Sequence, residues 1–285
     1  MGAPKHPDPF LEVRVRTTAL SPNVLGVCAG YELNEWRCKQ LVSHLIQWLP
    51  EFALNHSDYE AIGGHNAIEK TIEAAKALYK SDKYQLRGEC GELLLHAIVR
   101  QVFGSYPAIS KYFFKDSRND TVKGFDAVHV VAAGAALELW LGEVKFYKDI
   151  SGAISAVVDE LEEHLDRDYL RAEFLAITNK IDSAWPLSDR LKKLIHPQTS
   201  LDEIFDAVVI PVLLTYDSDV IRGHKKATNL FKAAFEKEIL AHQATFAGKK
   251  LPTSVRVELF LFPLGSKENL VKTFDERLKQ WQALS

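Results

Sequence analysis

The sequence predicts an α/β fold, in the wider sense α+β, with a mixed β-sheet flanked by helices. Three observations predict it. The stretches 124–131 and 137–145 read as two apolar strands joined by a turn of small residues at 132–135. A helical period over 86–102 precedes them, with Leu86, Cys90, Leu93, Leu94, Ala97, Ile98 and Val102 on one face. The last third runs strand, helix, strand, helix, and that spacing implies a parallel crossover within one sheet.

Each element has a local reason. Residues 10–16 alternate apolar and polar, the pattern of a half-buried strand, and 24–31 read as a second short strand. From Asn34 the period turns helical, with Trp36, Leu41, Leu45, Ile46 and Leu49 marking a helix up to Pro50. The loop Ile62-Gly63-Gly64 separates it from a second helix over 66–79. Ser81-Asp82 supplies N-cap chemistry for the patterned helix that follows, and Gly104 supplies its stop. Gly88 and Gly91 lie in its first turns. Each costs about 1 kcal/mol against Ala there, which points to a close approach by another element or to a later helix start.

Residues 105–123 form a polar connection containing Lys111, Tyr112, Phe113, Phe114 and Lys115. Those aromatics could stack on nucleic acid; packing under the sheet is the preferred reading. After the hairpin, Asp149 or Ser151 caps a helix through Ile154, Val157, Val158, Leu161 and Leu165, with helical spacing continuing to Ile177. Trp185-Pro186 breaks it, and a short helix spans 188–195. The run 205–216 is a strand buried on both faces, in which Pro211 marks an edge or a bulge because it gives no ladder donor. A helix over 227–246, a strand over 254–262 and a closing helix over 267–280 complete the chain. We read residues 1–80 as an N-terminal elaboration and 81–285 as the core, joined in one compact unit.

Composition narrows the class. The chain has 285 residues, of which 47% are hydrophobic and 26% charged, enough for a large buried core. No apolar run reaches the roughly 18 residues of a membrane helix. The first nine residues carry three prolines and do not read as a secretory signal. Three cysteines, Cys28, Cys38 and Cys90, form neither an even set nor a CxxC, so buried free thiols in a cytoplasmic protein are expected. A formal net charge of −3 gives no broad basic footprint, so any DNA contact is expected to be local or to come through a partner.

The charged groups of the hairpin carry the chemistry. Side chains at i and i+2 of a strand share a face, so Glu143 and Lys145 project together while Val144 points away. Counted from a turn at Ala133, Asp126 lies about seven residues back and Glu143 about ten on, a mismatch that a bulge or longer turn must close. Hard divalent cations want oxygen ligands, usually one or two carboxylates with water and substrate phosphate. Asp126 and Glu143, with the Val144 carbonyl, offer such a set for Mg²⁺ or Mn²⁺. Lys145 can orient or deprotonate the attacking water, or offset charge in the transition state. A helix glutamate completes the set: Glu92 is the first choice and Glu89 the second.

Helix-Glu, then Asp, then Glu-x-Lys on consecutive strands resembles the PD-(D/E)xK nuclease superfamily. More narrowly, Arg87-Gly88-Glu89-Cys90-Gly91-Glu92-Leu93-Leu94, Lys123-Gly124-Phe125-Asp126-Ala127-Val128-His129 and Gly142-Glu143-Val144-Lys145-Phe146-Tyr147 resemble the nuclease subunit of the Hachiman anti-phage defence system. The motifs stand in the family's order, and the likeness runs from about residue 10 to the C-terminus. Phe125 stands where the superfamily's proline would. The resemblance implies a restriction-endonuclease-like core and a Mg²⁺-dependent deoxyribonuclease. By position, Asp126, Glu143 and Lys145 would be catalytic, with the 88–92 segment supplying the helix Glu. It also implies a superfamily 2 DNA helicase partner that holds the nuclease in check until phage-linked DNA signals release it.

Against each residue stands an ordinary alternative. Glu-x-Lys alone is a common solvated strand edge; the ordered set is much rarer. One of Glu89 and Glu92 is a solvated helix residue. His96 reads as a helix-flank histidine and His129, on the strand face opposite Asp126, as structural. Lys123 and Lys148 are as well explained as surface lysines. A catalytically silent subunit that docks on the helicase is the rival from another class. A small phosphorylated substrate finds no Gly-rich phosphate loop in the sequence.

Overall fold

A computed structural model describes residues 6–78, 88–109, 124–134, 136–251 and 255–284. Among these, a seven-stranded mixed sheet forms the middle layer, built from β1 (Glu12–Thr17), β2 (Asn23–Cys28), β5 (Tyr106–Pro107), β6 (Ala127–Ala133), β7 (Ala136–Phe146), β8 (Val208–Asp217) and β9 (Arg256–Leu264). Its order is β1-β2-β9-β8-β7-β6-β5. The pairs β7–β8, β8–β9 and β2–β9 are parallel, and β8–β9 is the crossover pair that the strand–helix–strand spacing of the last third implies. The hairpins β1–β2 and β6–β7 are antiparallel.

Alternation along the strands makes two cores. Trp140, Val144, Val209, Leu213, Phe260 and Phe262 face one side. There they meet α1 (Cys38–Ala53), α3 (Ala67–Ala77), α4 (Glu89–Phe103) and α11 (Lys267–Ala283). Leu139, Leu141, Ile210, Val212, Leu214 and Leu259 face the other. They meet α5 (Ile150–His164), α6 (Arg167–Lys180), α7 (Ser188–Leu194), α8 (Leu201–Ala207) and α10 (Asn229–Ala247). β8 is buried from Val208 to Tyr216, as its unbroken apolar run requires of a central parallel strand.

Local chemistry moves several boundaries. Trp36 does not start a helix: Leu33 (φ 50°) and Asn34 (φ 67°) turn a small hairpin between β3 (Tyr31–Glu32) and β4 (Glu35–Trp36). α1 begins after it and runs through Pro50 to Ala53. A short helix, α2 (His56–Glu60), precedes the loop at Ile62, its N-cap Asn55 accepting from the Asp58 N–H. The Ser81-Asp82 cap reading, the aromatic stretch 111–115 and Lys123 lie outside the described residues. Helical spacing from 150 to 177 hides a break, because Asp166 caps a new helix by accepting from the N–H groups of Asp168 and Tyr169. Likewise Ser200, accepting from the Glu203 N–H, starts α8 where a strand was expected. Between α8 and α10, α9 (Asp219–Gly223) starts from Ser218, whose side chain accepts from the Ile221 N–H.

Pro211 lies in an interior strand, not at an edge or a bulge. It pairs with Glu258 of β9, and on the β7 side the ladder shows no pair between Trp140↔Val209 and Glu143↔Val212. Gly104 ends α4 in the left-handed region (φ 58°), with its N–H on the Arg100 and Val99 carbonyls. Among the described residues no helix is long and apolar enough to cross a membrane.

Candidate metal centre at the mouth of the hairpin

The register of β6 and β7 places the acids. Ala133 pairs with Ala136 and each rung follows without a slip to Ala127↔Gly142. Beyond that pair, Asp126 precedes β6 and its N–H donates to the carbonyl of Gly142, the partner of Ala127, at 2.8 Å. The counted mismatch closes without a longer turn, because Asp126 and Glu143 each lie one residue beyond the Ala127↔Gly142 pair. The turn lies one residue further along than Ala133 suggests, because the small residues Ala132 and Ala133 belong to the strand.

Beyond this rung β6 ends and β7 continues. Where the next main-chain partner would stand, the Asp126 carboxylate takes its place: Oδ2 accepts from the Val144 N–H at 2.9 Å. The Val144 carbonyl leaves the strand on the same edge as its N–H, and so faces the same opening. Glu143 and Lys145 share one side of the sheet, the α5 side, where they meet His164 and Glu160. Val144 and Phe146 share the other and belong to the α1–α4–α11 core.

That division sets where the helix glutamates go. Gly91 of α4 lies so close to β7 that a Cβ there would meet Val144 Cγ1 at 2.8 Å and Phe146 Cβ at 3.0 Å. This is the close approach that a glycine inside a helix suggests, and with Gly88 as N-cap the helix also starts later than its period implies. Glu89 and Glu92 thus begin α4 at the open end of the hairpin, but over the Val144 face. Glu92 folds back towards Gly88, its Oε1 3.7 Å from where a Gly88 Cβ would lie. The helix acid on the Glu143 face is a different one, Glu160 of α5.

Glu143 is fully buried (0% exposed). Its Oε1 lies 2.5 Å from Nδ1 of His164, the last residue of α5. The Lys145 ammonium pairs with the Glu160 carboxylate. His164 Nε2 is 4.0 Å from Glu160 Oε1. The imidazole is fixed from both sides, stacked on Tyr169 at 4.6 Å and met edge-on by Phe125 at 5.2 Å. Burial holds His164 below its ordinary 6.5, against the opposing pull of Glu163 and Asp126. Because a carboxylate only accepts, Nδ1 is the nitrogen that carries a proton in the bond to Glu143. From α6, the Glu173 carboxylate approaches Gly124, just ahead of Asp126.

Among the described residues, Glu143, Glu160 and His164 form a set whose ligand atoms all lie within 4.8 Å of one another. Two carboxylates and an imidazole suit a divalent cation, so the donors present fit a metal of the kind expected. Asp126 stands beside that set, bonded to Val144. Glu160 and His164 are absent from the sequence-derived list. Their signal was an acid and a histidine four apart on the helix after the Glu-x-Lys strand. His164 also stands three residues beyond the core residue Leu161, on the buried flank of α5.

The two other histidines serve the opposite face. His96 and His129 are buried and join a polar chain rather than the hairpin mouth. The Ser105 hydroxyl is 2.9 Å from His129 Nδ1, His129 Nε2 is 3.2 Å from His96 Nδ1, and His96 Nε2 is 3.0 Å from Glu51 Oε2. Arg100 closes it, donating from Nε to Glu51 Oε2 at 2.7 Å and from Nη2 to Oε1 at 2.8 Å. Burial alone would raise the Glu51 carboxyl; the hydrogen bonds of His96 and Arg100, with the Arg100 charge, overcome it and hold it at about 2. The remaining lysine of the hairpin end, Lys148, is exposed and pairs with Glu268 at 3.1 Å.

Comparison with known proteins adds two findings. A family model described as HamA matches residues 5–278. Anti-bacteriophage protein A of Escherichia coli (strain K12) is 24% identical over 259 residues, which cover 88% of this chain and 47% of that protein. The chain therefore spans about half the length of the curated relative it matches.

Proposed function

The chain belongs to the HamA family, and from that premise we propose that it is a metal-dependent DNA nuclease of an anti-phage defence system, held in check by a helicase partner. The relative's name, Anti-bacteriophage protein A, supports the defence role. The helicase and the DNA substrate follow from the likeness of the three motifs to the Hachiman nuclease subunit. The observation that carries the chemistry is the meeting of the motif residues where β6 ends: the Asp126 carboxylate accepts from the N–H of Val144, the residue between Glu143 and Lys145, and those two share the α5 face.

The reaction is hydrolysis of a phosphodiester: a water oxygen bonds to phosphorus, the bond to the leaving sugar oxygen breaks, and that oxygen takes up a proton. Asp126 and Glu143 would hold Mg²⁺ or Mn²⁺; the motif order would add Glu92 or Glu89, but α4 packs over the Val144 face, away from Glu143. A cation bound there lowers the pKa of its water and clamps the scissile phosphate. Glu143 is suited to hold it because burial and the His164 bond fix its carboxylate. Asp126 is held at the opening by its Oδ2, which accepts from the Val144 N–H. Lys145, once turned from Glu160, offers its ammonium to the negative charge that grows on the phosphoryl oxygens.

Plasmid digestion tests this. The purified chain, alone and with its helicase, is incubated with supercoiled DNA in Mg²⁺ or Mn²⁺ and in EDTA. Cleavage should require the metal, and Glu143→Gln and Lys145→Ala should each lower it by about 100-fold or more while keeping the wild-type circular dichroism spectrum. Full cleavage by both variants would refute the reading. No cleavage under any condition, together with no metal binding, would favour the silent docking subunit instead.

A further inference from the structure

We propose that α5 contributes two ligands to the metal site, so that Glu143, Glu160 and His164 hold the cation through two carboxylates and one imidazole, and that this set binds Mn²⁺ in preference to Mg²⁺. The inference rests on the nuclease reading of the same hairpin and names the metal chemistry it uses.

Three observations carry it. The ligand atoms of the three residues lie within 4.8 Å of one another, the spacing at which one ion reaches all of them. The histidine is built in rather than loose, because Tyr169 stacks on its ring, Phe125 meets it edge-on and Glu143 takes its Nδ1–H. A histidine that binds metal through one nitrogen commonly gives the other N–H to a carboxylate, which fixes its tautomer and aim. Here Nδ1 is bonded to Glu143 and Nε2 is turned towards Glu160, 4.0 Å away. Finally, Glu160 already holds a cation, the Lys145 ammonium. An ion that takes Glu160 would release Lys145, so loading the site and freeing the catalytic amine become one event. Imidazole nitrogen suits first-row transition ions, whereas Mg²⁺ prefers oxygen and keeps its waters. A site with a histidine among its ligands therefore discriminates between the two.

Manganese binding to the full chain tests this without any cleavage assay. MnCl₂ is titrated into wild type and variants, and the electron paramagnetic resonance signal of free hexaaqua Mn²⁺ is followed, with Mg²⁺ added as competitor. Wild type should bind Mn²⁺ and release it only to a large excess of Mg²⁺. Glu160→Gln and His164→Asn should each weaken Mn²⁺ binding by about tenfold or more, and His164→Asn should also narrow the preference over Mg²⁺. Thermal melting identifies variants that retain the fold; if one does not, the other decides. Folded variants that bind Mn²⁺ as tightly as wild type would overturn the proposal. If Asp126→Asn and Glu143→Gln abolish binding while the α5 variants leave it unchanged, the nuclease reading stands and this proposal falls. If wild type binds no Mn²⁺, both fall.

Discussion

Replacing Glu51 by Gln removes one charge from the buried chain Ser105–His129–His96–Glu51–Arg100. Two routes give the magnitude. A carboxyl held at about 2 rather than its ordinary 4.5 reports about 3 kcal/mol of preference for the ionised form in the folded protein, at about 1.4 kcal/mol per pH unit. Breaking one partner of a buried ion pair costs about 3–5 kcal/mol, because the other charge stays buried; here Arg100 is left 7% exposed without its counter-ion. Both routes predict that Glu51→Gln loses about 3 kcal/mol at pH 7, read from urea denaturation by tryptophan fluorescence. The pH dependence has a definite sign. A depressed carboxyl stabilises above its unfolded value and loses that contribution as pH falls towards its folded one. The gap between wild type and variant should therefore be full at pH 7 and shrink from about pH 4.5 down to about pH 2. Burial also lowers His96 and His129, so wild type begins to lose stability below about pH 6.5, where the unfolded histidines take up protons and the folded ones do not. A loss under about 1 kcal/mol at pH 7, or a gap that does not narrow in acid, would refute the reasoning.

Two further outcomes follow from packing and burial. Gly91→Ala gains about 1 kcal/mol of helix propensity but drives a methyl into Val144 and Phe146, an overpacking cost of about 1–3 kcal/mol, so denaturation should show a net loss of up to about 2 kcal/mol. A clear gain in stability would mean that α4 does not press on β7. Cys28, Cys38 and Cys90 are buried, and burial raises each thiol, so none should react with Ellman's reagent in the native protein and all should react in urea. Rapid native reaction of any one of them would contradict its burial.

Much of the fold was legible because its signals are local. The period-2 run of residues 10–16, the unbroken apolar stretch of β8 and the Asp149 cap each act within a few residues, and each stands where the sequence puts it. Misplaced boundaries arise where a cap interrupts a continuing period. Asp166 splits one helical stretch in two, and Ser200 with Glu203 turns the head of an apparent strand into a helix. Leu33 and Asn34 take positive φ, which the helical period around Trp36 conceals. Pro211 was misjudged for another reason: a central strand tolerates a missing N–H when one ladder can skip a step, and only the sheet order reveals that.

In the candidate site, Glu143 and Lys145 share one face, Asp126 is bonded to the N–H of Val144 between them, and Glu89 and Glu92 begin a helix packed on the other face. Residue order along the chain does not say on which side of a sheet a helix packs; Gly91 against Val144 decides it. Glu160 and His164 passed unnoticed because their meaning depends on α5 crossing Glu143, a contact of long range in sequence. Their apolar neighbours Val157 and Leu161 dominated the pattern.

The bond from the Val144 N–H to Asp126 gives the hairpin a last rung made of side chain. Every other rung in it is main chain to main chain, indifferent to charge. This one is not: a cation that draws on the carboxylate withdraws electron density from the acceptor of that bond. A metal held by Asp126 would thereby be felt in the backbone, and the Val144 amide would report it. Its nitrogen-15 and proton resonances should move when metal is added, and a hairpin mouth held by an ion should exchange that amide with solvent at a different rate from one held by Asp126 alone.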